Sequence, residues 1–340
     1  MKLVSRILLA LAVLLIAVIA VGAVKVLGPR AFLGPRSRPL NSRTFEATPA
    51  RLERGKYLAN GIGCLYCHSP HDWTKPDDPI VLGMAGAGQK LPYTDLPGVV
   101  FAPNLTPDKD TGAGNWSDDM LARAIREGIS HDGRALFGIM PFAHYRNMPD
   151  EDLASIIVYL RSLPAVRSPL PKTQIIFPVK YIMQNDPQPI TTQISAPDVS
   201  DPVKRGRFLV TLIGCTDCHT PVDNHHVPIP GMEFSGGQIL GAPWGTVASA
   251  NLTPDASGIS YYDEGMFIKS MRTGKVGARE LSKTMPWSVL RNLTDEDLAA
   301  MFAYLKTLRP IAHRVDNKEA PSLCPLDGTI HGAGNQNRKQ

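Results

Sequence analysis

The body of this 340-residue chain has almost no net charge. The formal total is +5, but residues 1–39 hold six cations (Lys2, Arg6, Lys25, Arg30, Arg36, Arg38) and no acid, so residues 40–340 carry −1. Without a basic surplus the body lacks the electrostatic footprint of a nucleic-acid binder. Hydrophobic residues at 43% and charged residues at 20% leave room for a buried core, which excludes both a disordered tail and a polytopic membrane protein. Cysteine is scarce, with five residues, whereas 29 glycines and 30 prolines announce a loop-heavy fold.

One uncharged run stands out. Ile7–Val24 has Gly22 as its only breaker and follows Lys2 and Arg6. A membrane-spanning helix needs about 17–25 such residues. A secretory signal has a shorter apolar core, of ~7–15 residues, and a small-residue cleavage site, which Val21-Gly22-Ala23 fits. Length favours a retained anchor, with Val26 and Leu27 completing the span, and the absence of a polar face sets aside a buried soluble helix. Cations on the C-terminal side (Lys25, Arg30, Arg36, Arg38, Arg43) outnumber those before the run, so the positive-inside rule favours the opposite orientation. The cysteine chemistry below overrides it, because that chemistry needs the body on the exported side.

Behind this run the sequence repeats. Arg54-Gly55-Lys56-Tyr57-Leu58 through Cys64 answers Arg205-Gly206-Arg207-Phe208-Leu209 through Cys215. Asn104-Leu105-Thr106-Pro107-Asp108 answers Asn251-Leu252-Thr253-Pro254-Asp255, and Met140-Pro141-Phe142 answers Met285-Pro286-Trp287. Asp150-Glu151-Asp152-Leu153-Ala154 answers Asp295-Glu296-Asp297-Leu298-Ala299. The blocks keep their order, as a duplication requires. Each copy reads as three helices between long loops. In the first copy, one helix follows the Thr48-Pro49 cap and ends at Gly61–Gly63, one runs from Ser117 to Gly128, and one runs from Asp150 to Leu163 with Pro164 as stop. The expected organisation is an anchor over 1–27, a linker over 28–47, domains over 48–164 and 202–310, a proline-rich extended linker over 165–201, and a polar tail over 311–340 that lies on the surface or is poorly ordered.

Four of the five cysteines form two copies of Cys-x-x-Cys-His: Cys64, Cys67 and His68, then Cys215, Cys218 and His219. This pattern reads as c-type haem attachment, in which one helical turn presents both thiols to the macrocycle edge and the next side chain to iron. Zinc is a weak rival, because each site would need two more ligands while only Cys324 remains for both and His71, His225 and His226 do not recur between the copies. A thioredoxin-type pair lacks its βαβ context. A disulfide within each pair is the remaining structural alternative.

With these motifs in place the chain resembles class I cytochrome c domains. It is similar in particular to the dihaem and trihaem cytochrome subunits that accept electrons from bacterial membrane-bound dehydrogenases. The resemblance covers residues 48–164 and 202–310 and implies a mainly α fold of two tandem cytochrome c domains. It implies two covalently bound haem c groups on Cys64/Cys67 and Cys215/Cys218, with His68 and His219 on iron and Met140 and Met285 as second axial ligands. Rival ligands are Met84 and Met232, each after a glycine, and His131 or His144 in the first copy alone. Tyr57/Phe208 and Tyr159/Tyr304 are expected to pack where the first and third helices cross, and Asn104 and Asn251 to satisfy their own loops.

The implied function is electron transfer, without a catalytic residue, at the periplasmic face of a bacterial cytoplasmic membrane. The implied partners are a dehydrogenase as donor and an oxidase or soluble carrier as acceptor. The alternatives are a dihaem peroxidase-like enzyme, which needs one open iron and an acid/base residue, and an oxidase-associated or sensory subunit.

Overall fold

A computed structural model describes residues 2–75, 77–223, 226–317, 322–326, 328 and 330–331; His225 and much of the 311–340 tail lie outside it. The fold is mainly helical. Its helices are α1 (Lys2–Leu27), α2 (Arg30–Leu33), α3 (Pro49–Gly61), α4 (Cys64–Cys67), α5 (Asp118–Glu127), α6 (Phe142–Tyr145) and α7 (Asp150–Ser162). They continue with α8 (Val179–Ile182), α9 (Pro202–Ile213), α10 (Cys215–His219), α11 (Glu264–Thr273), α12 (Trp287–Leu290) and α13 (Asp295–Lys306). The long helices start and stop where the sequence signals. Thr48 Oγ1 caps α3 through the Arg51 amide at 3.3 Å, Ser117 Oγ caps α5 through Met120 at 3.1 Å, and Thr294 Oγ1 caps α13 through Asp297 at 3.1 Å. Gly128 and Gly274 close α5 and α11 in the left-handed region, with φ of 72° and 67°.

The chain divides into two compact units. One comprises Met1–Thr44, Trp116–Arg146 and Gln174–Gln193; the other comprises Phe45–Asn115, Asn147–Thr173 and Ile194–Gln340. In the first unit, α1 is long and apolar enough to cross a membrane, and none of its apolar window is buried in the protein. The segment after it is fixed to α5 by Arg38, whose guanidinium donates two 2.7 Å bonds to the fully buried Asp119 carboxylate and a 2.9 Å bond to Glu127. The proline-rich segment, expected to be extended throughout, instead forms α8 and a 3-10 turn over Met183–Asn185.

In the second unit α3 packs on α7, and α9 packs on α13. Both crossings depend on a glycine. A Cβ at Gly55 would overlap the Ser155 carbonyl oxygen and crowd Tyr159 Cβ at 2.8 Å; one at Gly206 would overlap the Ala300 carbonyl and crowd Tyr304 Cβ at 2.9 Å. Tyr159 and Tyr304 therefore sit at the crossings, as expected. Tyr57 packs against the second copy's hydrophobic core, and its hydroxyl donates to Asp297. Asn104 and Asn251 do serve their loops. Asn104 Oδ1 accepts from the Thr106 amide at 2.9 Å and Asn251 Oδ1 from Thr253 at 2.8 Å. The Nδ2 groups of the same two asparagines reach further: Asn104 donates to the Val166 carbonyl at 2.7 Å and Asn251 to the Ile311 carbonyl at 2.8 Å. The chain after α13 is thus tied to the Asn251 loop, and His313 is buried while Ala312 and Arg314 stay exposed, so the first residues of the tail lie only partly on the surface.

We predict that Gly55→Ala and Gly206→Ala each cost about 1–3 kcal/mol, because a backbone carbonyl cannot retreat from the added methyl. Thermal unfolding of the two variants checks this, and a neutral result at either site would contradict the crossing geometry.

Candidate haem-attachment sites

Each Cys-x-x-Cys-His segment follows a glycine that only a residue without Cβ fills easily. Gly63 and Gly214 have φ of 89° and 75°, which lets α3 and α9 turn directly into α4 and α10. One short helical turn then carries both thiols, with the Cys67 amide bonded to the Gly63 carbonyl at 3.1 Å and His68 to Cys64 at 3.0 Å. None of the five cysteines is in a disulfide. Burial pushes the thiols of Cys64 and Cys215 up to about 12 and those of Cys67 and Cys218 up to about 11. That direction is opposite to the lowered thiol pKa of reactive Cys-x-x-Cys pairs.

The histidines are oriented identically. His68 and His219 are buried, and each Nδ1 lies against a backbone carbonyl: Pro103 at 2.8 Å and Ala250 at 2.7 Å. A carbonyl only accepts, so Nδ1 carries the proton and Nε2 keeps its lone pair, the tautomer a metal ligand requires. Burial lowers both imidazole pKa values and keeps the rings neutral, although the carbonyl bonds oppose it. Each accepting carbonyl belongs to the residue just before the Asn-Leu-Thr-Pro-Asp loop. Gly88 and Gly236 complete the clamp by bonding the His68 and His219 carbonyls at 2.7 and 2.8 Å. A Cβ at Gly88 would meet Ala102 O at 2.7 Å, and one at Gly236 would meet Ala250 O at 2.6 Å. The Pro103 and Ala250 carbonyls and these two glycines were not singled out from sequence. Their signal was the position directly before a repeated loop and a repeated Gly after Met84 and Met232.

The two Met-Pro segments share one backbone shape. Pro141 (φ −81°, ψ 47°) and Pro286 (φ −77°, ψ 53°) are centres of inverse γ-turns, closed by bonds of 2.7 Å from Phe142 N to Met140 O and from Trp287 N to Met285 O. The following aromatic docks on a helix-closing glycine: a Cβ at Gly128 would meet the Phe142 ring at 2.8 Å, and one at Gly274 would overlap the Trp287 indole. Met285 and Cys215 both pack against the second copy's core cluster. Met140 belongs to the first unit, and the Cys64–His68 segment to the second. His131 is stacked on Trp116, with ring centroids 4.2 Å apart.

The second Met-Pro loop has a support that the first lacks in sequence. Lys283 Nζ donates to the carbonyls of Trp73 at 3.0 Å and Lys75 at 2.7 Å and to Asp78 Oδ1 at 2.6 Å. Trp73 stacks near Trp244, with centroids 5.3 Å apart, and Trp244 Nε1 donates to Thr284 Oγ1 at 3.0 Å. The two residues before Met285 are therefore fastened to the loop that follows His68. Position 138, which corresponds to Lys283, is an exposed glycine. Burial raises the Asp78 carboxyl pKa, and the Lys283 ammonium offsets this only in part. Tyr93 lies within electrostatic reach of both Cys67 and Cys218; burial first, and then those neighbours, push its hydroxyl pKa up.

Among the described residues no three His, Cys, Asp or Glu side chains converge as a metal cluster. The donor set present is a pair of thiols beside one tautomer-fixed imidazole, twice over. No family model matches the chain. Over 285 residues it is 28% identical to the fructose dehydrogenase cytochrome subunit of Gluconobacter japonicus, covering 80% of this chain and 56% of that protein. Its relatives include cytochrome subunits of dehydrogenases and a dihaem c-type cytochrome. The gluconate 2-dehydrogenase cytochrome c subunit of Pantoea cypripedii is 29% identical over 289 residues, covering 77% of this chain and 60% of that one. A dihaem c-type cytochrome of Cereibacter sphaeroides is 27% identical over 289 residues, covering 81% of this chain and 92% of its own. The chain thus spans little more than half the length of the two dehydrogenase subunits, and nearly the full length of the dihaem protein. The resemblance read from the motifs holds.

We predict that Lys283→Met leaves the buried Asp78 carboxylate without its partner and destabilises the protein by about 3–5 kcal/mol. Adding Asp78→Asn should recover a good part, because asparagine tolerates the φ of 45° at this position and needs no counter-charge. Denaturant unfolding of the single and double variants checks the pairing; an additive loss would show that the two groups do not compensate each other.

Proposed function

We propose that the chain is an electron-transfer subunit carrying two covalently bound haem c groups in tandem cytochrome c domains over 48–164 and 202–310. Cys64 and Cys67 hold one group and Cys215 and Cys218 the other, with His68 and His219 on the irons. Met285, and Met140 by its repeat position, would supply each iron with a second ligand. The observation that carries this reading is the duplicated imidazole geometry, a buried ring whose Nδ1 is fixed by a carbonyl at 2.8 and 2.7 Å. Haem supplies one-electron chemistry that no side chain of this protein offers.

The chain's own task is to hold each ligand still. The carbonyls of Pro103 and Ala250 fix the imidazole orientation and increase its donor strength. The proline-centred turns hold each methionine next to a ring docked on Gly128 or Gly274. Methionine ligation raises the reduction potential, which suits acceptance from a dehydrogenase and delivery to an oxidase or soluble carrier. A dihaem peroxidase-like enzyme would need one open iron with an acid/base group beside it; the same Met-Pro turn in both copies argues against that asymmetry. Helix α1 anchors the protein in the bacterial cytoplasmic membrane, with residues 40–340 on the periplasmic side where haem attachment takes place.

Intact mass of protein matured in a haem-competent periplasm should exceed the polypeptide by two haems. Met285→Ala and Met140→Ala should each remove half of the sulfur-to-iron absorption band while leaving that mass unchanged. If Met84→Ala or Met232→Ala removes the band instead, the axial assignment fails.

For the anchor, we predict that mature protein retains Ile7–Val24 and fractionates with membranes. An N-terminus near Val24 in a soluble periplasmic fraction would show a cleaved signal.

A further inference from the structure

Within the segment read as a plain linker, residues 176–182 are Ile-Phe-Pro-Val-Lys-Tyr-Ile. Such a sequence belongs in a core, yet here it is outside. Phe177 is 72% exposed and Ile176 57%, with Tyr181 and Ile182 also on the surface, and the Phe177 and Tyr181 rings lie edge to face at 6.1 Å. The short helix α2 packs on α8 and adds Phe32 and Leu33, 59% and 73% exposed. Six large apolar side chains from two distant stretches of sequence thus gather in one place, which exceeds the scattered exposure ordinary for a soluble surface.

Their position is fixed by one side chain. Asn185 Nδ2 donates to the Leu27 carbonyl at 2.8 Å and to the Ile182 carbonyl at 2.7 Å, while its Oδ1 accepts from the Arg30 amide at 3.3 Å. Leu27 is the last residue of α1, so Asn185 ties the patch to the very end of the apolar helix. Gly28, with φ of 78°, makes the approach possible, since a Cβ there would overlap the Asn185 amide. Gln188 extends the tie by accepting from Arg36 at 3.1 Å and bonding back to the Asn185 carbonyl at 3.2 Å. Lys25, Arg30, Arg36 and Lys180 flank the patch, the last with its ammonium 6.0 Å from the Tyr181 ring centroid.

We propose that Phe32, Leu33, Ile176, Phe177, Tyr181 and Ile182 form a membrane-interface foot that inserts among lipid headgroups beside the end of α1. The occupant follows from the tie: if α1 spans a bilayer, whatever is bonded to Leu27 lies level with the headgroup boundary. Aromatic and aliphatic side chains flanked by cations are the composition that this layer favours, with apolar faces entering about 5–10 Å. The foot fixes the orientation of its unit at the membrane, beyond the tethering that α1 alone provides. The inference rests on α1 being a retained anchor.

The test uses the full-length holoprotein with reduced haems in nanodiscs of phosphatidylethanolamine and phosphatidylglycerol. Nitroxide labels are placed by Phe177→Cys, Leu15→Cys or Val199→Cys in a Cys324→Ser background. The ratio of oxygen to nickel-chelate accessibility at 177 should be several-fold above that at 199, an exposed apolar position outside the patch. A ratio at 177 equal to that at 199 overturns the foot, and a label shielded from both reagents overturns it in favour of a protein surface. Leu15 reports the anchor separately: an aqueous label there removes the anchor reading, whereas a lipid-exposed Leu15 with an aqueous 177 removes the foot alone.

Discussion

An imidazole offers one nitrogen to a metal dependably only when the other is held, and in both copies the holder is a backbone carbonyl just before an Asn-Leu-Thr-Pro-Asp loop. Much of each copy serves to keep that carbonyl in place. Asn104 and Asn251 accept from the amide and hydroxyl of the threonine two residues on, which closes the loop. Their Nδ2 atoms then bond the chain leaving α7 or α13, so loop and third helix cannot move apart. The third helix is seated against the first at the glycine crossing, and the first helix runs through a left-handed glycine into the cysteine turn. The path from histidine to carbonyl, asparagine, third helix, first helix and back to histidine is closed.

The copies share this circuit and differ around it. Lys283 fastens the second Met-Pro loop to the 73–78 segment of the first copy, with Asp78 buried beneath it. A buried ammonium–carboxylate pair with two further carbonyl acceptors is well satisfied, and it specifies one arrangement more than it adds stability. At the corresponding position the first loop has Gly138, exposed and with open space where a Cβ would be. The two Met-Pro loops therefore have the same backbone turn but unequal anchorage, one tied by Lys283 and the other exposed at Gly138.

The legible part of this molecule was what repeats locally. Helix starts at Thr48, Ser117 and Thr294 and stops at Gly128 and Gly274 follow from capping chemistry within four residues, and the cysteine turns follow from their spacing. What escaped the sequence was carried by long-range or backbone partners. The Pro103 and Ala250 carbonyls have no side-chain signature. Tyr57 matches Phe208 in the alignment of copies, so it was assigned a shared role at a helix crossing, but the hydroxyl that distinguishes it reaches Asp297 in the other copy. The eight prolines of 164–203 argued for extended chain, and short helical turns at 179–185 arose because Asn185 finds its acceptor more than 150 residues away.

The contacts between the copies also explain why the duplication did not remain symmetric. In and just after the first helix of copy one, Tyr57 bonds Asp297, Gly61 admits Leu293 where a Cβ would stand 2.6 Å from its methyl, and a Cβ at Gly63 would stand 3.6 Å from Val289. All three partners lie at or before the third helix of copy two. A two-fold arrangement would require the first helix of copy two to meet the third helix of copy one in the same way, but Phe208 has no hydroxyl to donate to Asp152. Asp152 is instead held by Arg54 at 2.8 and 2.9 Å within its own copy. The association is heterologous, with a different surface of each copy committed to it.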